Sequence, residues 1–419
     1  MTSPPPTRPV APRFPARGHG LAWLVALDRP TFAEKHWGRR PLLTRAADRP
    51  VDPGLFGPDA VDELLSRRAL RTPFVRMAKD GHTLDASTLT LGGGVGATIS
   101  DQVSEDRVLR HFADGATIVL QALHRTWPPI ADAAQDLAAD LGHPVQVNAY
   151  VTPPQNRGFD DHYDVHDVFV LQVSGEKHWQ VRPPVVESPL RDQPWTDHSD
   201  AVLLAAQGPP SIDAVLEPGD CLYVPRGWLH SAAALGGTSI HLTMGVHVWT
   251  RRQLAGDLVR AAGRRLDSDP AMRAALDLGV DPLDPRVAAG LRHGIRAAVD
   301  AALDAVTDDE LAQGLAGRVR AAQRAEPMGV IRQHTASADP ATPWRPRRHL
   351  AARWEDGRSA GVVTLVTRVA RVDVPADHRA AVTDVLAGHA EADRLDPAVR
   401  RSLCLAGLLV PSDSDQGAG

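Results

Sequence analysis

Cysteine is almost missing from this chain. Only Cys221 and Cys404 occur in 419 residues, which excludes a disulfide framework and a cysteine-built zinc site and agrees with a reducing compartment. Both read as small buried hydrophobes. No stretch approaches the roughly 18 consecutive apolar residues of a membrane span, and no repeat of about 20 to 50 residues recurs. An excess of one charge is lacking too: 46 basic and 51 acidic residues interleave to a net charge of -5, so the footprint of a general nucleic-acid binder is absent. Residues 1–20 are rich in proline but lack the apolar core of a secretory signal. They are expected to be a disordered lead-in to a soluble, cytoplasmic protein with no membrane contact and no direct nucleic-acid binding.

What is present suffices for two or three domains and at least one large core, at 43% hydrophobic residues. Residues 21–113 carry helical signals. Thr31 and Glu34 are spaced as a capping box before a turn over 32–37 that Gly38 and Pro41 stop; 58–70 reads as a second helix, and Ser104 as the N-cap of a third ended by Gly115. Gly92, Gly93, Gly94 and Gly96 form a loop without the Lys and Ser/Thr of a phosphate cradle.

From Thr117 the texture turns to short β-rich runs at 117–123, 145–152, 168–173, 177–181, 214–216, 221–224 and 239–248, interrupted by a helix at 130–141. Ser174-Gly175 and Pro218-Gly219-Asp220 look like hairpin turns. A small barrel of the double-stranded β-helix type fits best, giving an α+β fold with a catalytic domain over 21–250. An amphipathic helical block follows over 251–327, with Asp269-Pro270 as an N-cap and N1 pair and Thr307 to Glu310 as a capping box. It must pack on the barrel or on a second subunit. Residues 328–346 read as a linker. Over 347–412 a strand at 362–367 and helices at 376–386 and 397–406, the latter capped by Asp396, suggest a winged-helix-like domain.

The chemistry concentrates in two segments. His162 and Asp164 stand two apart, so on an extended backbone both aim to one face. Downstream, a turn, a strand and the corner Pro225-Arg226-Gly227-Trp228 bring His230 back across the barrel. Two imidazoles and one carboxylate form the ligand set of non-haem iron(II), with open positions for a chelating cosubstrate and dioxygen. On the strand after the ligand pair, Lys177 is placed to meet the far carboxylate of 2-oxoglutarate, because a buried ammonium without an anion is costly. His166, His178, His241 and His247 read as core or rim residues, Trp179, Trp228 and Trp249 as packing aromatics, and Arg226 as half of a surface salt bridge.

These segments resemble the JmjC-type ribosomal oxygenases, a cupin-like group of protein hydroxylases. The likeness rests on Asn148 to Pro154, Gly158-Phe159, His162-Tyr163-Asp164, Asp167 to Gln172, Gly175 to Trp179 and Ser239 to Thr243, with an entry motif over Phe32 to Leu43 that contains Trp37 to Leu42. It implies iron ligation by His162, Asp164 and His230 and cosubstrate binding by Lys177. Asn148, Tyr150 and Thr243 would add hydrogen bonds in the same pocket, and Gly245 stands where relatives often carry a hydroxyl. It also implies a helical dimerisation region and a winged-helix domain after the barrel. The implied reaction couples decarboxylation of 2-oxoglutarate by dioxygen to hydroxylation of an arginine or histidine in a ribosomal protein. Two rivals stand beside it: a metal cupin of another class, such as an isomerase or a dioxygenase that needs no 2-oxoglutarate, and a non-enzymatic interaction module.

Overall fold

A computed structural model describes residues 20–48, 54–154, 156, 160–281, 283–339 and 341–412. The expected lead-in, except Gly20, and the motif residues Gly158 and Phe159 lie outside them. The chain divides into two units, Met1–Val248 and Trp249–Gly419.

Nine strands form one antiparallel sheet among the described residues of the first unit. Asp167–Arg182 and Leu229–Val246 run beside each other along most of their length. Cys221–Val224 and then Leu42–Thr44 extend the first half of Asp167–Arg182, and Ile212–Leu216 pairs with its second half. On the other side Leu229–Val246 pairs with Val145–Thr152, followed by Thr117–Leu120, Val75–Lys79 and His82–Thr83.

Side chains alternate faces along a strand, and this parity sorts core from cavity. Val145, Val147, Ala149 and Val151 join Ile240, Leu242, Met244 and Val246 in the main core. Helix Pro128–Leu141 adds Ile130, Ala134 and Leu137 to it. Gln146, Asn148, Tyr150, His241 and Thr243, the intervening residues, line the interior spaces.

In Asp167–Arg182 the parity changes partway. Val168 and Val170 face inward with even numbers, Lys177 and Trp179 with odd ones. Between them the register against the neighbouring strand slips, and Gly175 adopts φ +63°. A one-residue irregularity flips every later side chain to the other face. Gln172 braces it, donating through Nε2 to the carbonyls of Ser174 and Gly175, both at 2.9 Å, and to Ser239 Oγ at 2.8 Å. Ser174-Gly175 is therefore a kink in one continuous strand and not the expected hairpin. Pro218-Gly219-Asp220 likewise turns a corner between two strands that do not pair with each other.

The entry motif docks on the barrel through Tyr223, whose hydroxyl accepts from Gly38 N–H at 2.8 Å and donates to Asp167 Oδ2 at 2.6 Å. The preceding helix, Arg29–Lys35, is capped by Asp28, which accepts from Thr31 N–H at 2.9 Å. Thr31 is thus inside the helix rather than its cap, because Asp28 precedes Pro30, and proline suits the first helical turn.

In the second unit, Thr250 and Thr307 open helices Arg251–Ser268 and Asp308–Ala322 with capping boxes. Asp269 ends a helix instead of starting one; the Asp-Pro pair that initiates is Asp284-Pro285, before helix Pro285–Asp304. The stretch expected as linker holds helix Val330–Ala338 and strand Trp344–Pro346, the latter paired with Leu409–Pro411. Strands Arg353–Asp356, Val362–Val366 and Arg371–Pro375 form a three-stranded sheet. Helices Arg379–Ala387 and Pro397–Leu405 follow, the second capped by Asp396.

A Cβ at position 175 would lie 2.3 Å from the Thr238 carbonyl oxygen, in a left-handed conformation. Gly175→Ala should therefore cost about 2 kcal/mol or more, read as a lowered denaturant midpoint of the barrel unit. An unchanged midpoint would show that the kink does not require glycine.

Candidate active site

His162 and His230 confront each other because their backbones exchange hydrogen bonds. His230 N–H donates to the His162 carbonyl at 2.8 Å, and His162 N–H to that of His230 at 3.2 Å. Residues opposed in this way present side chains on one face, and the ring centroids lie 4.5 Å apart. Asp164 reaches the same place, with Oδ2 3.7 Å from His230 Nε2. One nitrogen or oxygen from each of the three lies within 4.8 Å of the others, the grouping of this kind found among the described residues.

Backbone carbonyls behind the rings set their tautomers. His162 Nδ1 donates to the Asp160 carbonyl at 2.7 Å, and His230 Nδ1 to that of Trp228 at 3.1 Å. A ring nitrogen that donates to a carbonyl carries the proton, so both Nε2 atoms keep their lone pairs for a metal. Burial, assisted by the neighbouring His162, pushes His230 down to about 4. Burial alone would raise the Asp164 carboxyl, but His166, His230, His162 and Arg76 together hold it below the usual carboxylate value. Neutral imidazoles and an ionised carboxylate are the forms that bind a divalent cation.

Lys177 is buried at the floor of the same space. Its Nζ donates to Thr152 Oγ1 at 3.1 Å, which also accepts from Thr117 Oγ1 at 3.2 Å. No carboxylate pairs with it among the described residues. Burial drives its pKa down to about 7. The chain otherwise prefers arginine: Lys35, Lys79 and Lys177 are the only lysines among 46 basic residues. A lysine here is a compact charge that can give up its proton, as an arginine cannot.

A cavity of about 330 Å³ joins the three ligand candidates to Lys177, with Tyr150 and Thr243 on its walls. Asn148 does not line it but hydrogen-bonds its wall residue Tyr150. Asn148 lines a second cavity of about 380 Å³, which shares Arg76, Tyr150, Asp164 and Thr243 with the first. Its side-chain oxygen is occupied by Ala122 N–H at 3.0 Å, in a residue at φ 55°. His166 is outside the ligand cluster and stacks on His247 at 5.2 Å. His178 faces away from the cavity, against Asp213. Arg226 makes no surface pair; its backbone N–H donates to the buried Asp167 at 3.1 Å, with the guanidinium 3.9 Å from the same oxygen.

Three wall residues escaped sequence reasoning as members of the site. Trp179 and His241 were read as packing groups, yet both line the cavity. Alternation could have found them, since His241 is two residues from Thr243 and Trp179 two from Lys177. Arg76, which hydrogen-bonds Tyr150, gave no signal because its short strand was not anticipated.

The JmjC domain model matches residues 123–254. Ribosomal oxygenase 1 of Gallus gallus is 31% identical over 232 residues, covering 53% of this chain and 35% of that protein. The Homo sapiens ribosomal oxygenase 1 is 31% identical over 248 residues, covering 57% and 35%. The bifunctional lysine-specific demethylase and histidyl-hydroxylase NO66 of Drosophila persimilis is 27% identical over 231 residues, covering 54% and 31%. The chain thus matches about a third of the length of these relatives. Among solved structures, Escherichia coli ribosomal oxygenase YcfD superposes with a TM-score of 0.54 at 17% identity, covering 93% of this chain and 99% of that one. Its complex with cobalt and 2-oxoglutarate gives a TM-score of 0.54 at 18% identity, covering 92% and 98%. This second likeness is one of fold.

The buried lysine has a thermodynamic signature. Its pKa is about 7 folded against an ordinary 10.5, so between these values the unfolded chain binds the extra proton and stability rises with pH. Below about 7 the penalty is present in full. Lys177→Met should therefore stabilise the metal-free protein most at and below neutrality, with the advantage fading toward pH 10.5. Denaturant titrations of both proteins across this range measure it; a constant difference would contradict the burial of a titrating ammonium.

Proposed function

Starting from a chain that carries a JmjC domain at residues 123–254, we propose that it is an iron(II)- and 2-oxoglutarate-dependent oxygenase that hydroxylates a side chain of a ribosomal protein. One observation carries this reading: a two-histidine, one-carboxylate cluster opens into a cavity whose floor is a buried lysine with no carboxylate partner. The first feature suits ferrous iron with positions left open. The second suits the far end of a diacid that chelates the same metal. A cupin isomerase would leave Lys177 unexplained.

In this assignment His162 and His230 bind the metal through Nε2 and Asp164 through a carboxylate oxygen, while Lys177 pairs with the far carboxylate of 2-oxoglutarate. Tyr150 and Thr243 hydrogen-bond the cosubstrate or substrate, and Asn148 acts from the adjoining cavity. Iron and 2-oxoglutarate, when bound, supply the oxidising power of dioxygen, with succinate and carbon dioxide as by-products and a hydroxylated C–H as product. The chain's own part is orientation and exclusion of water. The carbonyls of Asp160 and Trp228 hold the two imidazoles in register, and Val168, Val170 and Trp179 wall the cavity with apolar surface. Lys177 takes up a proton as the diacid arrives, because an adjacent carboxylate reverses the cost of burying the cation.

A ribosomal substrate is supported by the names of the similar proteins, and those called histidyl-hydroxylase favour histidine over arginine as the target. A net charge of -5 suits a basic partner. Residues 251–327 are assigned to homodimerisation on the apolar stripe of helix Pro285–Asp304, where Leu291 is 39% and Ile295 48% exposed. Residues 347–412 are assigned to a winged-helix-like domain, whose core and sheet also take in helix Val330–Ala338 and strand Trp344–Pro346, and the compartment to the cytoplasm, in line with two free buried cysteines.

Purified protein with iron(II) should form succinate from 2-oxoglutarate only when oxygen is present. His162→Ala and Asp164→Ala should abolish this while retaining folded structure by circular dichroism. Lys177→Ala should raise the KM for 2-oxoglutarate by about tenfold or more. Intact-mass measurement of the host's ribosomal proteins, with and without the gene, should reveal one protein that gains one oxygen atom. Absence of any 2-oxoglutarate turnover would remove the assignment.

A further inference from the structure

The floor of the first cavity offers more than Lys177. His241 is only 3% exposed, lines the same cavity, and keeps Nδ1 buried without a hydrogen-bond partner. The ring is held firmly, stacked on Tyr150 with centroids 5.0 Å apart and an angle of 2°, and edge-on to Trp179 at 5.3 Å. Its position follows from the register, since His241 sits opposite both Tyr150 and Gln172 on the neighbouring strands. Trp179 Nε1 is likewise buried without a partner.

An orphaned polar nitrogen in an apolar setting costs free energy comparable to a lost hydrogen bond. Both atoms are closed to solvent, so the ring nitrogen left to meet a ligand in the cavity is His241 Nε2, on a floor where a buried ammonium has a single hydroxyl partner and no carboxylate among the described residues. A carboxylate offers about four lone-pair sites, more than one ammonium fills. Burial of the ring, reinforced by the neighbouring Lys177 and His230, opposes protonation of His241, so the imidazole is neutral and presents one N–H.

We propose that His241 is a second binding residue for the far carboxylate of the cosubstrate, donating a hydrogen bond to the group that Lys177 neutralises. This rests on the oxygenase assignment and adds to it a source of selectivity. Lysine alone attracts any anion, whereas a fixed imidazole N–H beside it demands a carboxylate at one depth. A five-carbon 2-oxoacid lacking that carboxylate, 2-oxopentanoate, leaves both donors unsatisfied.

The test is binding and not turnover. Calorimetry on the full chain loaded with manganese(II), without oxygen, compares 2-oxoglutarate and 2-oxopentanoate for wild type, His241→Leu and His241→Asn. His241→Leu should weaken 2-oxoglutarate by about ten- to a hundredfold, leave 2-oxopentanoate nearly unchanged, and so narrow the preference between them. His241→Asn, which restores an N–H donor in a smaller side chain, should recover most of the loss and covers the case in which the leucine variant fails to fold. Equal 2-oxoglutarate affinity in wild type and a folded His241 variant overturns the proposal alone. Equal weakening of both 2-oxoacids also overturns it, since that marks a structural role for the ring. If wild type binds no 2-oxoglutarate, the oxygenase assignment falls with it.

Discussion

The site depends on one irregularity in one strand. Asp167–Arg182 enters the barrel with even-numbered residues inward and leaves with odd-numbered ones inward, and the switch is made at the Gly175 kink. Without the flip, Glu176 and His178 would point into the cavity and Lys177 out to solvent. Gln172 answers the two carbonyls that the kink strips from the ladder. A buried amide, a glycine with positive φ and a buried ammonium therefore form one unit, and none of them makes structural sense alone.

The metal-ligand cluster is positioned by a different device. Here a two-residue backbone exchange between His162 and His230 sets two imidazoles side by side, and carbonyls of nearby residues decide which nitrogen is free. The two devices share long strands: His230 is the second residue of Leu229–Val246, and the same strand later carries His241 and Thr243 to the cavity. Charge is arranged along this axis, with a carboxylate held ionised at one end and an ammonium weakened by burial at the other. Such a gradient favours a ligand that brings its own negative charge to the floor and a cation to the opposite end.

Much of this was legible in the sequence because it follows from period-two alternation and from residue chemistry. His162 and Asp164 on one face, a returning His230 and an inward Lys177 need only strand geometry and the cost of burying charge. The exceptions are instructive. Ser174-Gly175 has the composition of a hairpin turn, and only the pairing of distant strands reveals a kink. Asp269-Pro270 and Asp284-Pro285 are equally good helix starts locally, but Asp269 is already the C-cap of Arg251–Ser268, and the second pair opens the next helix. Thr31 was set aside as a cap because Asp28 competes for the same position. Asn148 was expected to line the same pocket; it reaches that pocket through a hydrogen bond to Tyr150, while its amide oxygen accepts from Ala122 N–H and the residue opens on the neighbouring space. His241 was taken for core because burial is the common fate of such a residue, and its unpartnered nitrogen appears only in three dimensions.

The most direct measurement is a crystal structure grown without oxygen in manganese(II) and 2-oxoglutarate, with anomalous scattering collected for the metal. One manganese peak should lie within bonding distance of His162 Nε2, His230 Nε2 and an Asp164 carboxylate oxygen, with the diacid chelating it and its far end against Lys177 Nζ. A peak bound elsewhere, or a diacid that leaves Lys177 untouched, would contradict the account.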